Sequence, residues 1–133
     1  MIKILRQDSR SIYIEFDKEG SHSLLKMFNE IYNEKEFELS AEFDMGVLKM
    51  RKGGTIKSSI ISCKKNSEDQ SVFTIENDNI MWKMDEDDIE MGIEKFTECE
   101  QQGYFFPAEF IRICTPRNKK LDYIYCKLVH SHG

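Results

Sequence analysis

No stretch of this sequence comes near the ~20 consecutive apolar residues that a membrane-spanning helix needs. The opening "MIKILRQDSRSIYIEF" has a lysine and an arginine but no long apolar core and no small-residue cleavage site. It does not read as a signal peptide, so the cytoplasm is the expected compartment and no membrane partner is expected. Cysteine patterning is also absent. Cys63, Cys99, Cys114 and Cys126 are spaced by 36, 15 and 12 positions, which fits neither a C-x-x-C redox pair nor a zinc framework. They read as reduced, mostly buried small hydrophobes.

Catalytic signatures are missing as well. The chain has no H-E-x-x-H, no G-x-S-x-G, no Walker lysine and no G-x-G-x-x-G. Gly53–Gly54 reads as a turn, not a phosphate cradle. No D-x-D-x-D-G-x₅-E calcium loop occurs, and no E-x-x-H pairing accompanies the acids. The expectation is no catalytic residue, no metal and no cofactor. A basic footprint is lacking too: net charge is −5 and the sequence pI about 5.3. Direct nucleic-acid binding is therefore disfavoured. No internal repeat, linker or low-complexity segment is visible.

What is present describes one soluble domain. With 133 residues, 40% of them hydrophobic and 32% charged, the chain can withdraw roughly two-thirds of its unfolded surface from water. Residues 11–16, "SIYIEF", alternate as a half-buried strand. "SHSLLKMFNEIYN" (21–33) carries Leu24, Leu25, Phe28, Ile31 and Tyr32 as a helical stripe, with Ser21 or Ser23 to cap its start and Asn33 to end it. Strand signals fill 37–84 as a meander: "FELSAEF", "VLKMR", "TIKSSIISC", "VFTIE" and "IMWKM", divided by turns such as "DMG" and "KGG". A helix over 86–102 follows, capped by Asp85 and stopped by Gly103, with Ile89, Ile93, Phe96 and Cys99 as its apolar seam. Strands over 108–114 and 121–129 complete the chain, with "TPRNKK" as the turn between them. Short loops imply antiparallel neighbours. The expected fold class is α+β: a single antiparallel β-sheet with two helices packed on one face.

Charge is concentrated in one place. From Asp85 to Glu100 there are eight carboxylates and one base, Lys95, so this segment carries −7 and the rest of the chain +2. Asp85 to Asp88 are accounted for by capping and the helix dipole. Glu86, Glu90, Glu94 and Glu98, with Asp87 beside them, form a ridge at i, i+4 spacing. Like charges at that spacing are mildly destabilising to a helix. The ridge leads to Tyr104 and Phe105, aromatics of the kind that anchor interfaces. The candidate partner-binding set is therefore Glu86, Asp87, Glu90, Glu94, Glu98, Tyr104 and Phe105.

The stretch "DEDDIEMGIEKFTECEQQGYFFPAEFIRI" (85–113) resembles the small acidic immunity proteins of bacterial contact-dependent inhibition and polymorphic toxin systems. The likeness lies in a strand meander, then a short acidic helix, then a "G-x-F-F-P-A-E-F" strand start, and it covers mainly residues 79–113. The resemblance implies a non-enzymatic inhibitor that binds and neutralises a cognate toxin domain, basic and of the nuclease type. Two other readings stay open at this point. One is a small enzyme or ligand-binding domain with a pocket on the sheet, using His22 with Glu42 or Glu109. The other is a structural module that assembles with its own copies, a homodimer for instance.

Overall fold

The computed structural model of the chain describes residues 1–8, 11–44, 56–68, 70–76, 79–105, 109–112 and 123–129. The elements are β1 (Ile2–Asp8), β2 (Ser11–Phe16), α1 (Lys18–Tyr32), β3 (Phe37–Asp44), β4 (Ile56–Lys65), β5 (Val72–Glu76), β6 (Asn79–Met84), α2 (Glu86–Gln102), β7 (Glu109–Arg112) and β8 (Tyr123–Leu128). Helix α2 has the span its sequence predicts. Helix α1 starts earlier than expected. Asp17, not Ser21 or Ser23, is its N-cap, and its carboxylate accepts from the Gly20 N–H at 2.9 Å. Asn33 ends α1 as expected. Strand β1 is not expected from periodicity, because "IKILRQD" alternates only over its first three residues. The expected strand "VLKMR", the "KGG" and "TPRNKK" turns, and Cys114 lie outside the described residues.

The sheet is mixed, which corrects the expectation of a purely antiparallel one. Its order is β5-β6-β4-β3-β1-β2-β8-β7. The hairpins β1-β2, β3-β4, β5-β6 and β7-β8 are each antiparallel, as the short connections of the first and third require. The hairpins join one another in parallel: β4 with β6, β2 with β8, and β1 with β3. Loop length governs only neighbours in sequence, so it is silent on how separate hairpins meet.

That order contains a repeat that the sequence does not announce. β3-β4-β5-β6-α2 forms one unit, in which two hairpins join through their second strands and the last strand leads into a helix. β7-β8 with β1-β2-α1 forms the same arrangement, split by the chain ends. The correspondence holds residue by residue. Asp17 and Asp85 are the two N-caps. Ile124 and Cys126 pair with Ile12 and Ile14, as Ile61 and Cys63 pair with Ile80 and Trp82. The Val129 N–H donates to the Phe16 carbonyl at 2.8 Å, and the Asn66 N–H donates to the Met84 carbonyl at 2.8 Å. Only traces of sequence, such as "I-x-C-K" at 61–64 and 124–127, mark the likeness.

The two helices pack against each other between the units. Ile4, Ile14, Phe16, Phe43, Ile61, Trp82, Ile124 and Cys126 face them from the strands, and all are essentially buried. Phe28 of α1 touches Trp82, Phe96 and Phe110, and Phe96 of α2 touches Phe16, Phe105 and Phe110. Gly92 lets α2 approach this closely: a Cβ there would stand 2.5 Å from the Phe28 ring. Gly103 closes α2 in the left-handed region at φ 81°, and its N–H returns to the Cys99 carbonyl at 2.8 Å.

Candidate functional site

Helix α2 fixes the acidic ridge on a rigid support. Its buried side is Ile89, Gly92, Phe96 and Cys99, a narrow seam that turns the remaining positions outward. Ile93, expected in that seam, is only half-buried. Asp87, Glu90, Glu94 and Glu98 are all exposed. Glu86 is exposed too, but it is engaged: Lys65 Nζ lies 3.1 Å from its carboxylate and 3.0 Å from that of Glu34. Those two hydrogen bonds, Glu34 first, hold the Lys65 ammonium in its charged form. Glu90 receives the Tyr32 hydroxyl at a long 3.4 Å.

The acids at the start of α2 prove more than a solvated cap. Asp85 accepts from the Asp88 N–H at 2.8 Å. Ser71, arriving from the β4–β5 connection, accepts from the Asp85 N–H at 3.3 Å and donates its hydroxyl to Asp88. Ser71 thus closes a capping box whose reciprocal bond would ordinarily come from within the helix. Asp88 is half-buried by this arrangement. Burial pushes its carboxyl above the usual range, the Ser71 hydroxyl opposes that, and Asp85 and Asp87 add to the rise. At the other N-cap, the hydrogen bond from the Met1 ammonium (2.8 Å) and then that from Gly20 hold the Asp17 carboxyl below the usual range.

The two aromatics past the helix separate. Tyr104 is 57% exposed. Phe105 turns inward against Phe16, Phe96 and Phe110 with ring centroids 4.9–5.8 Å apart, so it supports the core rather than the surface. Phe106 and Pro107 lie outside the described residues.

His22 does not meet Glu42, which lies in a cleft with Ser40 and Ser58. Its Nδ1 contacts the Glu100 carboxylate at the far end of α2. The side chain of Glu109 lies outside the described residues. Among the described residues, no three His, Cys, Asp or Glu side chains gather as a metal site. Among the same residues, no helix is long and apolar enough to cross a membrane. Cys63, Cys99 and Cys126 are free and buried. Burial pushes the Cys63 thiol up to about 12 and raises those of Cys99 and Cys126.

Sequence reasoning missed one informative comparison, because it needs the repeat. The positions of α1 that correspond to Glu86, Glu90, Glu94 and Glu98 are Lys18, His22, Lys26 and Glu30. The same scaffold position therefore accepts a mixed, partly basic ridge on one helix and an all-acidic ridge on the other. No protein-family model matches this chain, and no curated protein does either.

Proposed function

We propose that this protein is a non-enzymatic inhibitor of the immunity-protein type, which binds and neutralises a basic, nuclease-type toxin domain in the cytoplasm through the outer ridge of α2. The observation that carries this reading is the contrast between the two helices. Packing in this fold does not demand acids along the ridge, since α1 carries Lys18, His22 and Lys26 at the equivalent places. Four like charges at i, i+4 spacing are a small local cost to the helix. Clustered carboxylates on a rigid element suit a partner whose own cleft is basic enough to hold phosphates. Opposed fields accelerate encounter, and they suppress wrong partners.

In mechanism, Asp87, Glu90, Glu94 and Glu98 meet the basic surface, and Tyr104 adds a partly apolar anchor at the end of the ridge. Inhibition follows from exclusion of substrate, with no chemistry on this chain. Glu86 contributes less than its neighbours, because Lys65 already partners it.

The test is association kinetics with the toxin domain encoded beside this chain's gene. A Glu90→Lys/Glu94→Lys/Glu98→Lys variant should associate at least about tenfold more slowly at low salt, with a flatter salt dependence. A variant that associates as fast as the parent, with the same salt dependence, removes the ridge as the docking face.

A further inference from the structure

Strand β3 is paired along its whole length on one side only. β4 lines it from Phe37 to Asp44. On the other side β1 pairs with it only at Glu42 and Phe43. Among the described residues, no strand pairs with 37–41 on that second side, and no helix or loop backbone bonds to them.

The reason lies at Met1. Its carbonyl accepts from the Asp17 N–H at 3.2 Å, and its ammonium lies 2.8 Å from the Asp17 carboxylate. Met1 is thus tied to the cap of α1 and not to β3. Gly20 makes room for it, since a Cβ there would collide with the Met1 carbonyl. A cleft of about 790 Å³ opens where β1, β3 and the start of α1 part.

The cleft is apolar within and acidic at its rim. Ile2 and Ala41 are buried along its inner side. On the outer face, the short side chains of Ser40 and Ser58 flank Ile60, which is 50% exposed, and Met1 is 44% exposed. These are two of the four large hydrophobics that stand exposed among the described residues, so exposed apolar surface is concentrated here. Glu19 and Glu42 stand exposed at the rim. Glu38 continues the line of Glu42 on the same face of β3. Of the bases beside them, the Met1 ammonium is held by Asp17, and Lys3 sits in register with Glu42. Three carboxylates thus face one lysine.

An unpaired strand edge is a template for another strand unless lysine, proline or a bulge blunts it. The stretch 37–41, "FELSA", has neither residue, and its register with β4 is unbroken. It offers roughly 16 Å of edge, the length of five extended residues. We propose that this cleft takes a short basic peptide as an added strand. Its backbone pairs with the open side of 37–41, and one face of its side chains packs over Ile2 and Ala41. On the other face lysine or arginine stems lie across Ser40 to Ile60, with their charges beside Glu19, Glu38 and Glu42. The site is separate from the α2 ridge, and its test does not involve the toxin.

The probe is acetyl-Lys-Val-Lys-Val-Lys-amide added to the full chain, followed by amide hydrogen exchange and chemical shifts. One control replaces its lysines with glutamate. Two others are N-methylated at alternate residues, one along each edge of the peptide. The probe should bind saturably and slow the exchange of alternate amides within 37–41, those not bonded to β4. The form methylated on the edge facing β3 should not bind, and the form methylated on the opposite edge should bind as the probe does. The glutamate peptide should not bind. Glu19→Gln/Glu42→Gln should weaken the probe about three- to tenfold at low salt, the worth of two exposed ion pairs, and leave Tm unchanged. Four results overturn the proposal: no saturable binding of the probe, equal binding of the glutamate peptide, equal binding of both methylated forms, or protection of those amides before any peptide is added. The last would mean that another part of the chain or a second copy already covers the edge.

Discussion

Phe28 and Phe96 occupy equivalent positions on α1 and α2, and their rings stack on each other at 5.6 Å with 27° between planes. A residue touching its own counterpart marks the axis that relates the two units. The contacts around it are reciprocal, as an isologous interface requires. Tyr32 reaches Glu90, and the counterparts of those two residues, Glu100 and His22, reach each other. The helix pair is therefore built like a dimer interface inside one chain.

Gly92→Ala tests that interface. Alanine gains roughly 1 kcal/mol of helix propensity over glycine. The new Cβ would stand 2.5–2.7 Å from the Phe28 ring, which is held on other sides by Trp82, Phe96 and Phe110. Overpacking of this kind costs about 1–3 kcal/mol, so the clash wins. The expected result is a net loss of up to about 2 kcal/mol, seen as a drop in Tm of roughly 3–5 °C per kcal/mol. A stabilised variant would mean that the helices separate freely at Gly92.

Asp88 should leave a signature in the pH dependence of stability. Its folded pKa is raised by burial, so the native state takes up a proton more readily than the unfolded chain. As pH falls through the folded value, protonation therefore favours the native state. Asp88→Asn cannot titrate and retains a side chain able to bond Ser71. The parent should thus gain stability relative to Asp88→Asn as pH falls from neutral into the acid range, measured by urea unfolding of both chains. A gap that widens against the parent on acidification contradicts the burial of this carboxylate.

Met1 and Val129 meet at one peptide unit. The Met1 carbonyl accepts from the Asp17 N–H at 3.2 Å, and the Val129 N–H donates to the Phe16 carbonyl at 2.8 Å. A circular permutant that starts at Glu36, with the 130–133 tail linked to Met1, would place the two units one after the other. It should fold in a single cooperative transition by circular dichroism. It should also lose the ion pair between the Met1 ammonium and Asp17. The Asp17 contribution to stability, present above the ordinary carboxylate range and lost as pH falls through the lowered folded value, then shrinks. Failure to unfold cooperatively would show that the split unit depends on its present connections.

Thiol labelling checks the burial of the cysteines. At mildly alkaline pH, Cys63, Cys99 and Cys126 should react with an exposed-thiol reagent orders of magnitude more slowly in the native chain than in denaturant, since burial both blocks access and suppresses the thiolate. Rapid modification of any of the three, located by peptide mass, would contradict the packing.

Local periodicity determined the elements it reaches. Alternation marks β2, β3 and β6, and the Ile89–Phe96–Cys99 seam with Asp85 and Gly103 at its ends specifies α2 to the residue. The acidic ridge was legible for the same reason, since i, i+4 spacing alone puts Glu86, Glu90, Glu94 and Glu98 on one strip of a helix. Tertiary structure decided the rest. It joined hairpins in parallel, because pairing between distant strands leaves no trace in loop length. It assigned the cap of α1 to Asp17, which also meets the Met1 ammonium, rather than to the nearby serines. It turned Phe105 inward while leaving Tyr104 out. It brought His22 to Glu100 rather than Glu42. Each of these depends on contacts between residues far apart in sequence, which periodicity and capping rules do not encode.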